Sequence, residues 1–153
     1  MGTIRYSDND GLAWSISKEV DGSHLQGAQG PDGELFCFYY FPGITGESQG
    51  ATGGCTGTET YGQTGQEIRF IKSDDNGGSW AGTTGLDYGV LYTGSPTGGS
   101  TGGSIDVIPA EAKIGVDVDE MGRIIVSFWT TEDIEKFAYS DDQGTTWVIG
   151  DIA

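Results

Sequence analysis

The sequence predicts an all-β protein built from repeated units of four antiparallel strands, with ten strands and no helix. Three observations favour this fold class. A turn motif of eight residues occurs three times, a strand–turn–strand pattern occurs twice, and the 153 residues include 28 glycines but only four prolines. Glycine adopts positive φ at little cost, so a chain rich in glycine and poor in proline suits many short strands joined by tight turns.

The turn motif reads Ser-x-Asp/Asn-x-Gly-x-x-Trp, and each copy is termed a box. Box 1 covers residues 7–14, box 2 covers 73–80 and box 3 covers 140–147, at nearly equal spacing. Such even spacing indicates a structural repeat. The shared positions, which we predict to be structural, are Ser7, Asn9, Gly11 and Trp14, then Ser73, Asp75, Gly77 and Trp80, then Ser140, Asp142, Gly144 and Trp147.

The chemistry of the box predicts a hairpin turn. A short Asp or Asn side chain can accept backbone N–H groups two residues further on, and glycine takes the positive φ of the turn. An apolar residue lies three positions before each box serine, namely Ile4, Phe70 and Phe137. The same strand face is therefore buried each time. The box tryptophan begins the next strand, where we expect its large ring to fit between packed sheets.

A second repeat precedes boxes 2 and 3. Residues 25–41 and 114–129 each read strand, glycine turn, strand, and they align on Gly33 and Gly122. With the box hairpin this makes four strands per unit, which is typical of β-propeller blades. We predict one domain over 1–153: a half blade at 1–22, a blade at 23–84 with an inserted loop at 43–66, an inter-blade insert at 85–110, and a blade at 111–153.

The boxes resemble the Asp-box (BNR) repeat of sialidases and other secreted or surface propellers. In that family the box lies at the outer corner of a blade and is a folding element, so the resemblance implies a fold and not an activity. Sialidase chemistry would need three converging arginines, a Tyr/Glu pair and an acidic Asp. The chain has only Arg5, Arg69 and Arg123, and none lies in the Phe/Tyr-Arg-Ile-Pro context of the family. No catalytic residue is predicted.

Other residues with chemical potential are interpreted as structural. His24 is the only histidine and has no serine or cysteine nucleophile elbow nearby, so we expect a strand residue. Residues 8–11 and 117–119 are rich in Asp, but neither continues into a calcium-binding loop of twelve residues. We predict no metal and no cofactor. Cys37 and Cys55 permit one disulfide, which does not make a disulfide scaffold.

The net charge of the chain limits the classes of partner that it can bind. The net charge is −16 with only seven lysines and arginines, so the chain has no basic face for nucleic acid or for anionic membrane surfaces. No apolar run approaches the ~18 residues of a membrane span, and the first residues lack the pattern of a signal peptide. We expect no membrane insertion, and export by another route or assembly onto a particle.

Two and a half blades do not close a propeller, and open sheet edges tend to pair with other chains. The chain could be a piece of a longer protein, form a ring from several copies, or stack on another assembly. We favour a homo-oligomer or a larger particle. The first functional hypothesis is therefore a structural or adhesive module, extracellular or on a virion surface, such as a phage tail fibre, spike or capsid-surface protein.

Two alternatives remain open at the level of the sequence. In a carbohydrate-binding propeller, loop tyrosines would stack on sugars, and the inserts offer Tyr61, Tyr88 and Tyr92. Arg69 and Lys136 are equivalent by alignment of the boxes and could hold an acidic ligand. The third hypothesis is a fragment of a sialidase-like glycoside hydrolase.

Overall fold

A computed structural model of the protein describes residues 2–7, 9–41, 67–82, 87–94, 113–130 and 134–152. Within these ranges the chain is all-β, as predicted, with ten strands and no helix. They are β1 (Gly2–Tyr6), β2 (Ser15–Val20), β3 (Ser23–Gln29), β4 (Leu35–Phe41), β5 (Glu67–Ser73), β6 (Gly89–Thr93), β7 (Ile114–Val118), β8 (Ile124–Trp129), β9 (Glu135–Ser140) and β10 (Val148–Asp151). The described ranges contain no helix able to cross a membrane.

The strands form three sheets, and within each sheet the strands that pair are consecutive in sequence. Strands β1 and β2 form a two-stranded N-terminal hairpin, β3 to β6 form a four-stranded middle sheet, and β7 to β10 form a four-stranded C-terminal sheet. All strand pairs are antiparallel. The prediction of four-stranded antiparallel units is confirmed.

The fourth strand of the middle sheet lies further along the chain than we predicted. Strand β6 falls within residues 85–110, the expected inter-blade insert. Ala81 forms a bridge with Lys72, and Gly89 pairs with Phe70. The two partners are therefore eight positions apart in the chain, although Phe70 and Lys72 are separated only by Ile71. The whole of the expected loop 43–66 lies outside the described residues, as do residues 85–86 and 95–110 of the expected insert.

The middle sheet is buried on both faces. In β4, Phe36, Phe38 and Tyr40 belong to a core shared with the C-terminal sheet. The alternating residues Cys37 and Tyr39 belong to a second core, which includes Val20 and has Ile4 of the hairpin packed against it. Burial on both faces explains why residues 35–41 are apolar throughout instead of alternating with polar residues.

The C-terminal sheet is buried on one face only. In β8, Ile124, Val126 and Phe128 are buried in the core shared with the middle sheet. The opposite face, termed the end face, carries Ile125, Ser127 and Trp129 of β8 and their cross-strand neighbours Phe137 and Tyr139 of β9. The three sheets are therefore packed in series, and no sheet of the described ranges packs on the end face.

Candidate functional site

The three boxes share one hydrogen-bonding pattern. The serine hydroxyl donates to the Asp or Asn Oδ1 two positions on, at 2.8–2.9 Å, and accepts the N–H of the box glycine at 2.8 Å. The same Oδ1 accepts a backbone N–H four residues on, at 2.7–2.9 Å, from Ala13, Ser79 and Thr146. The Asp or Asn side chain therefore reaches four residues along the turn and not the two that we predicted.

The turn needs positive φ at two consecutive positions. Glycine at the second position has φ of 83–88°, as the sequence predicted. The position before it is not glycine in any box, and Asp10, Asn76 and Gln143 have φ of 55–57°. Asn and Asp tolerate this conformation better than other side chains do. Sequence reasoning missed this first position because its residue type differs in every copy.

The carboxylates of Asp75 and Asp142 accept hydrogen bonds from groups in their own turns. Hydrogen bonds from the Ser79 N–H, then from the Ser79 and Ser73 hydroxyls, lower the pKa of Asp75 to about 2. The Thr146 hydroxyl, the Thr146 N–H and the Ser140 hydroxyl lower the pKa of Asp142 to about 2 as well. Both carboxylates therefore accept three hydrogen bonds within their own turn, and these bonds stabilise the charged form.

The box tryptophans occupy three different environments. The Trp147 ring packs edge-on against Phe38 and Phe70 of the middle sheet, at centroid distances of 5.9 and 5.5 Å. Trp80 is half-buried against the core on the hairpin side, and its Nε1 donates to the Gly77 carbonyl at 3.2 Å. Trp14 is 60% exposed. The prediction that the ring fits between sheets is wrong for Trp14, because no sheet among the described residues covers this ring.

Arg69 is enclosed by its own sheet. Its guanidinium carbon lies 3.3 Å from the Phe41 ring centroid and 3.8 Å from that of Tyr88, and Nε donates to Glu67 at 2.6 Å. The side chain is only 12% exposed. A guanidinium held between two rings and paired with a carboxylate stabilises the sheet. An acidic ligand would have to displace Glu67 to reach it.

Lys136 occupies the equivalent place in the next sheet but does not join Arg69 in one site. Its Nζ donates to Asp151 at 2.6 Å and lies 5.9 Å from the Tyr92 ring centroid. Tyr92 itself packs on Phe128, with 4.9 Å between centroids. Tyr88 and Tyr92 thus contribute to packing around the sheets instead of projecting from loops. Tyr61 lies outside the described residues.

A polar link between sheets escaped sequence analysis. Gln143 in box 3 accepts a hydrogen bond from Lys72 Nζ at 2.5 Å and donates through Nε2 to Glu34 at 2.9 Å. Both partners belong to the middle sheet or its turn. No motif marks Gln143, because its role follows from which sheet lies opposite box 3.

The remaining reactive residues have ordinary surroundings. Cys37 is a free, buried thiol whose pKa burial raises to about 12, so it is a poor nucleophile. Cys55, with which it could form a disulfide, lies outside the described residues. His24 lies in β3, as predicted, and its Nδ1 is 3.0 Å from the Ser23 hydroxyl. Among the described residues, no group of three or more His, Cys, Asp or Glu is placed to hold a metal ion.

No protein-family model matches the sequence, and no curated protein matches it significantly. The functional interpretation therefore depends on the geometry of the chain itself.

Proposed function

We propose that the chain is a non-catalytic structural or adhesive module of the Asp-box β-propeller type, which self-associates or joins a larger surface assembly such as a phage virion. The observation that carries this proposal is the serial packing of the sheets. Among the described residues, the middle sheet has a partner on each face, whereas the hairpin and the C-terminal sheet each have a partner on one face only. A series of this kind is completed by adding another sheet at its ends.

Exposed apolar side chains at the two ends of the series of sheets support association. The end face of the C-terminal sheet exposes Ile125 by 42% and Trp129 by 39%, and box 1 exposes Trp14 by 60%. Contiguous exposed apolar residues are typical of interaction surfaces. The open edges of the terminal strands add backbone groups that another chain could pair with.

The positions of the arginines support a non-catalytic role. Arg5 lies on β1, Arg69 on β5 and Arg123 beside β8, in three different sheets. Arg69 is paired with Glu67, and Arg123 forms two hydrogen bonds with Asp141, at 2.6 and 3.1 Å. A site that binds a substrate carboxylate needs arginines that converge on one point with free donors.

The carbohydrate-binding hypothesis has less support. Of the three tyrosines that it requires, Tyr88 packs beneath Arg69 and Tyr92 packs on Phe128. Each of these two rings is therefore already in contact with another side chain of the chain. We therefore place glycan recognition second and expect any such binding to depend on Tyr61.

The mass of the protein in solution tests the proposal. Light scattering coupled to size exclusion, over a hundredfold range of concentration, should give a mass above that of one chain. Each copy carries a net charge of −16, so repulsion opposes association, and the measurement belongs at both low and raised salt. A single-chain mass under every condition, with no partner retained, would contradict self-association.

A further inference from the structure

The contact between box 3 and the middle sheet shows how a box seats on the sheet that precedes it. Trp147 packs edge-on against Phe70, at 5.5 Å and 72°. Gly144 lies against the same ring, because a Cβ at this position would be 2.6 Å from two atoms of Phe70. The Phe70 ring in turn covers Gly89, its partner on β6, where a side chain would overlap the ring. The Phe70 ring lying over Gly89 thus forms the surface against which box 3 packs, and we term such a Phe–Gly pair a platform.

The C-terminal sheet repeats this platform on its end face. Phe137 aligns with Phe70, pairs with Gly150 of β10, and lies over it, since a Cβ at Gly150 would be 2.6 Å from the Phe137 ring. Beside this platform, Tyr139 pairs with Ile125 of β8 on one side and with Val148 of β10 on the other. Ile125 is 42% exposed and Val148 is 52% exposed. In the described part of the chain, no box covers this platform.

Box 1 carries the complementary half of the contact. Gly11 and Trp14 occupy the positions of Gly144 and Trp147, and the hydrogen bonds of the turn are the same. A Cβ at Gly11 would meet only Trp14 of its own box within 4 Å. Box 1 therefore has the shape of a box that packs on another sheet, and no sheet of the described ranges lies against it.

We infer that a second copy of this chain seats its box 1 on the end face of the first, with Trp14 and Gly11 against the Phe137–Gly150 platform. The inference rests on the proposed self-association and names its surfaces. The internal contact of box 3 with Phe70 supplies the geometry, because the same residue types recur on both sides. The interface is heterologous: each copy offers a different surface at each end, so copies add head to tail into a ring or a filament.

Single variants and their mixture test this interface by sedimentation velocity, at about 0.15 M and about 1 M salt, where the Debye length falls from about 8 to about 3 Å. Trp14→Ala removes the inserted ring, and Phe137→Ala removes the platform. Ile125→Glu places a charge on the end face and serves as a second variant should Phe137→Ala fail to fold by circular dichroism. Leu12→Ala is the matched control, since Leu12 is 87% exposed in the same box but lies outside the two interface positions.

We expect Trp14→Ala and either end-face variant to sediment as single chains under conditions where the wild type and Leu12→Ala associate. A head-to-tail interface also predicts how Trp14→Ala and Phe137→Ala behave when they are mixed. Trp14→Ala retains an intact end face and Phe137→Ala retains an intact box 1, so an equimolar mixture should form a dimer and stop there.

Three results would overturn the inference, and they differ from one another. If the wild type associates and Trp14→Ala associates equally well, the interface is elsewhere, although the proposed self-association stands. If the single variants are monomers and their mixture also stays monomeric, the contact is not head to tail. If the wild type itself is a single chain at every concentration and salt level, the proposed function fails together with the inference.

Discussion

At the scale of single residues, the three box glycines share a conformation and differ in their neighbours. All three have φ near +85°, yet only Gly144 is pressed against a ring of another sheet. A Cβ added at Gly77 would lie 3.6 Å from the nearest side-chain atoms, and one added at Gly11 would lie 3.7 Å from them. The same substitution therefore tests backbone strain alone at two sites and strain plus overlap at the third.

We expect Gly11→Ala and Gly77→Ala to lower the free energy of unfolding by about 1–2 kcal/mol, the cost of placing a Cβ in the left-handed region. Gly144→Ala should cost about 1–3 kcal/mol more, because the methyl group overlaps Phe70. Urea unfolding of the three variants measures the difference. Equal losses at all three positions would mean that box 3 is not seated on Phe70.

The box carboxylates predict how stability depends on pH. Asp75 and Asp142 have pKa values of about 2 when folded, below the ordinary value of 3.8. A depressed folded pKa gives stability that is fully present above the unfolded pKa and is lost as the pH falls through the folded pKa. These two groups should therefore contribute a loss of stability between about pH 4 and about pH 2.

Replacement of both carboxylates by Asn isolates that contribution. Box 1 already carries Asn9 at this position, with the serine and N–H hydrogen bonds intact, so the double variant should keep its turns. Its free energy of unfolding should change less between pH 4 and pH 2 than that of the wild type. Identical pH profiles for the two proteins would show that the turn hydrogen bonds do not favour the charged form.

The three tryptophans extend this comparison to contacts between elements. Trp147→Ala should cost about 3–5 kcal/mol, since the ring packs against two phenylalanines of the middle sheet. Trp14→Ala should change the stability of the dilute single chain by less than about 0.5 kcal/mol, as is usual for exposed positions. Trp80→Ala should fall between them. Thermal or urea unfolding gives the order, and a large effect at Trp14 in dilute solution would contradict its exposure.

At the scale of elements, Arg69 and Lys136 are equivalent strand positions with different surroundings. Arg69 lies between two rings at 3.3 and 3.8 Å, whereas Lys136 lies 5.9 Å from one ring. We expect Arg69→Ala to destabilise by about 2 kcal/mol, the value of a desolvated cation–π contact, and Lys136→Ala to cost less. Arg69→Lys should not restore the wild-type value, because an ammonium cannot stack between rings. Full recovery with Lys would show that charge alone matters.

Strand positions were predictable where the residue pattern is local and not where it depends on pairing. Residues 35–41 are a continuous run of apolar residues, and β4 lies there. Strand β6 was missed because a regular edge strand would place one residue between the partners of Phe70 and Lys72, whereas these partners, Gly89 and Ala81, are eight positions apart in the chain. Nothing in that segment's composition reveals that the strand resumes at Gly89.

At the scale of the whole molecule, the box motif predicted the structural repeat but not the surroundings of each box. Ser73, Asp75 and Gly77 have direct counterparts in boxes 1 and 3, and the turn follows from these residue types. Whether a box tryptophan is buried depends instead on which sheet precedes it. The functional surfaces that we propose, at Trp14 and at Phe137, are therefore properties of position in the series and not of the motif.

Cryo-electron microscopy of the associated wild-type protein would show which surfaces join the copies. We expect copies joined head to tail, with the hairpin of one copy packed face to face on the C-terminal sheet of the next and Trp14 over Phe137. Particles of a single chain, or copies joined through strand edges with Trp14 left in solvent, would contradict it.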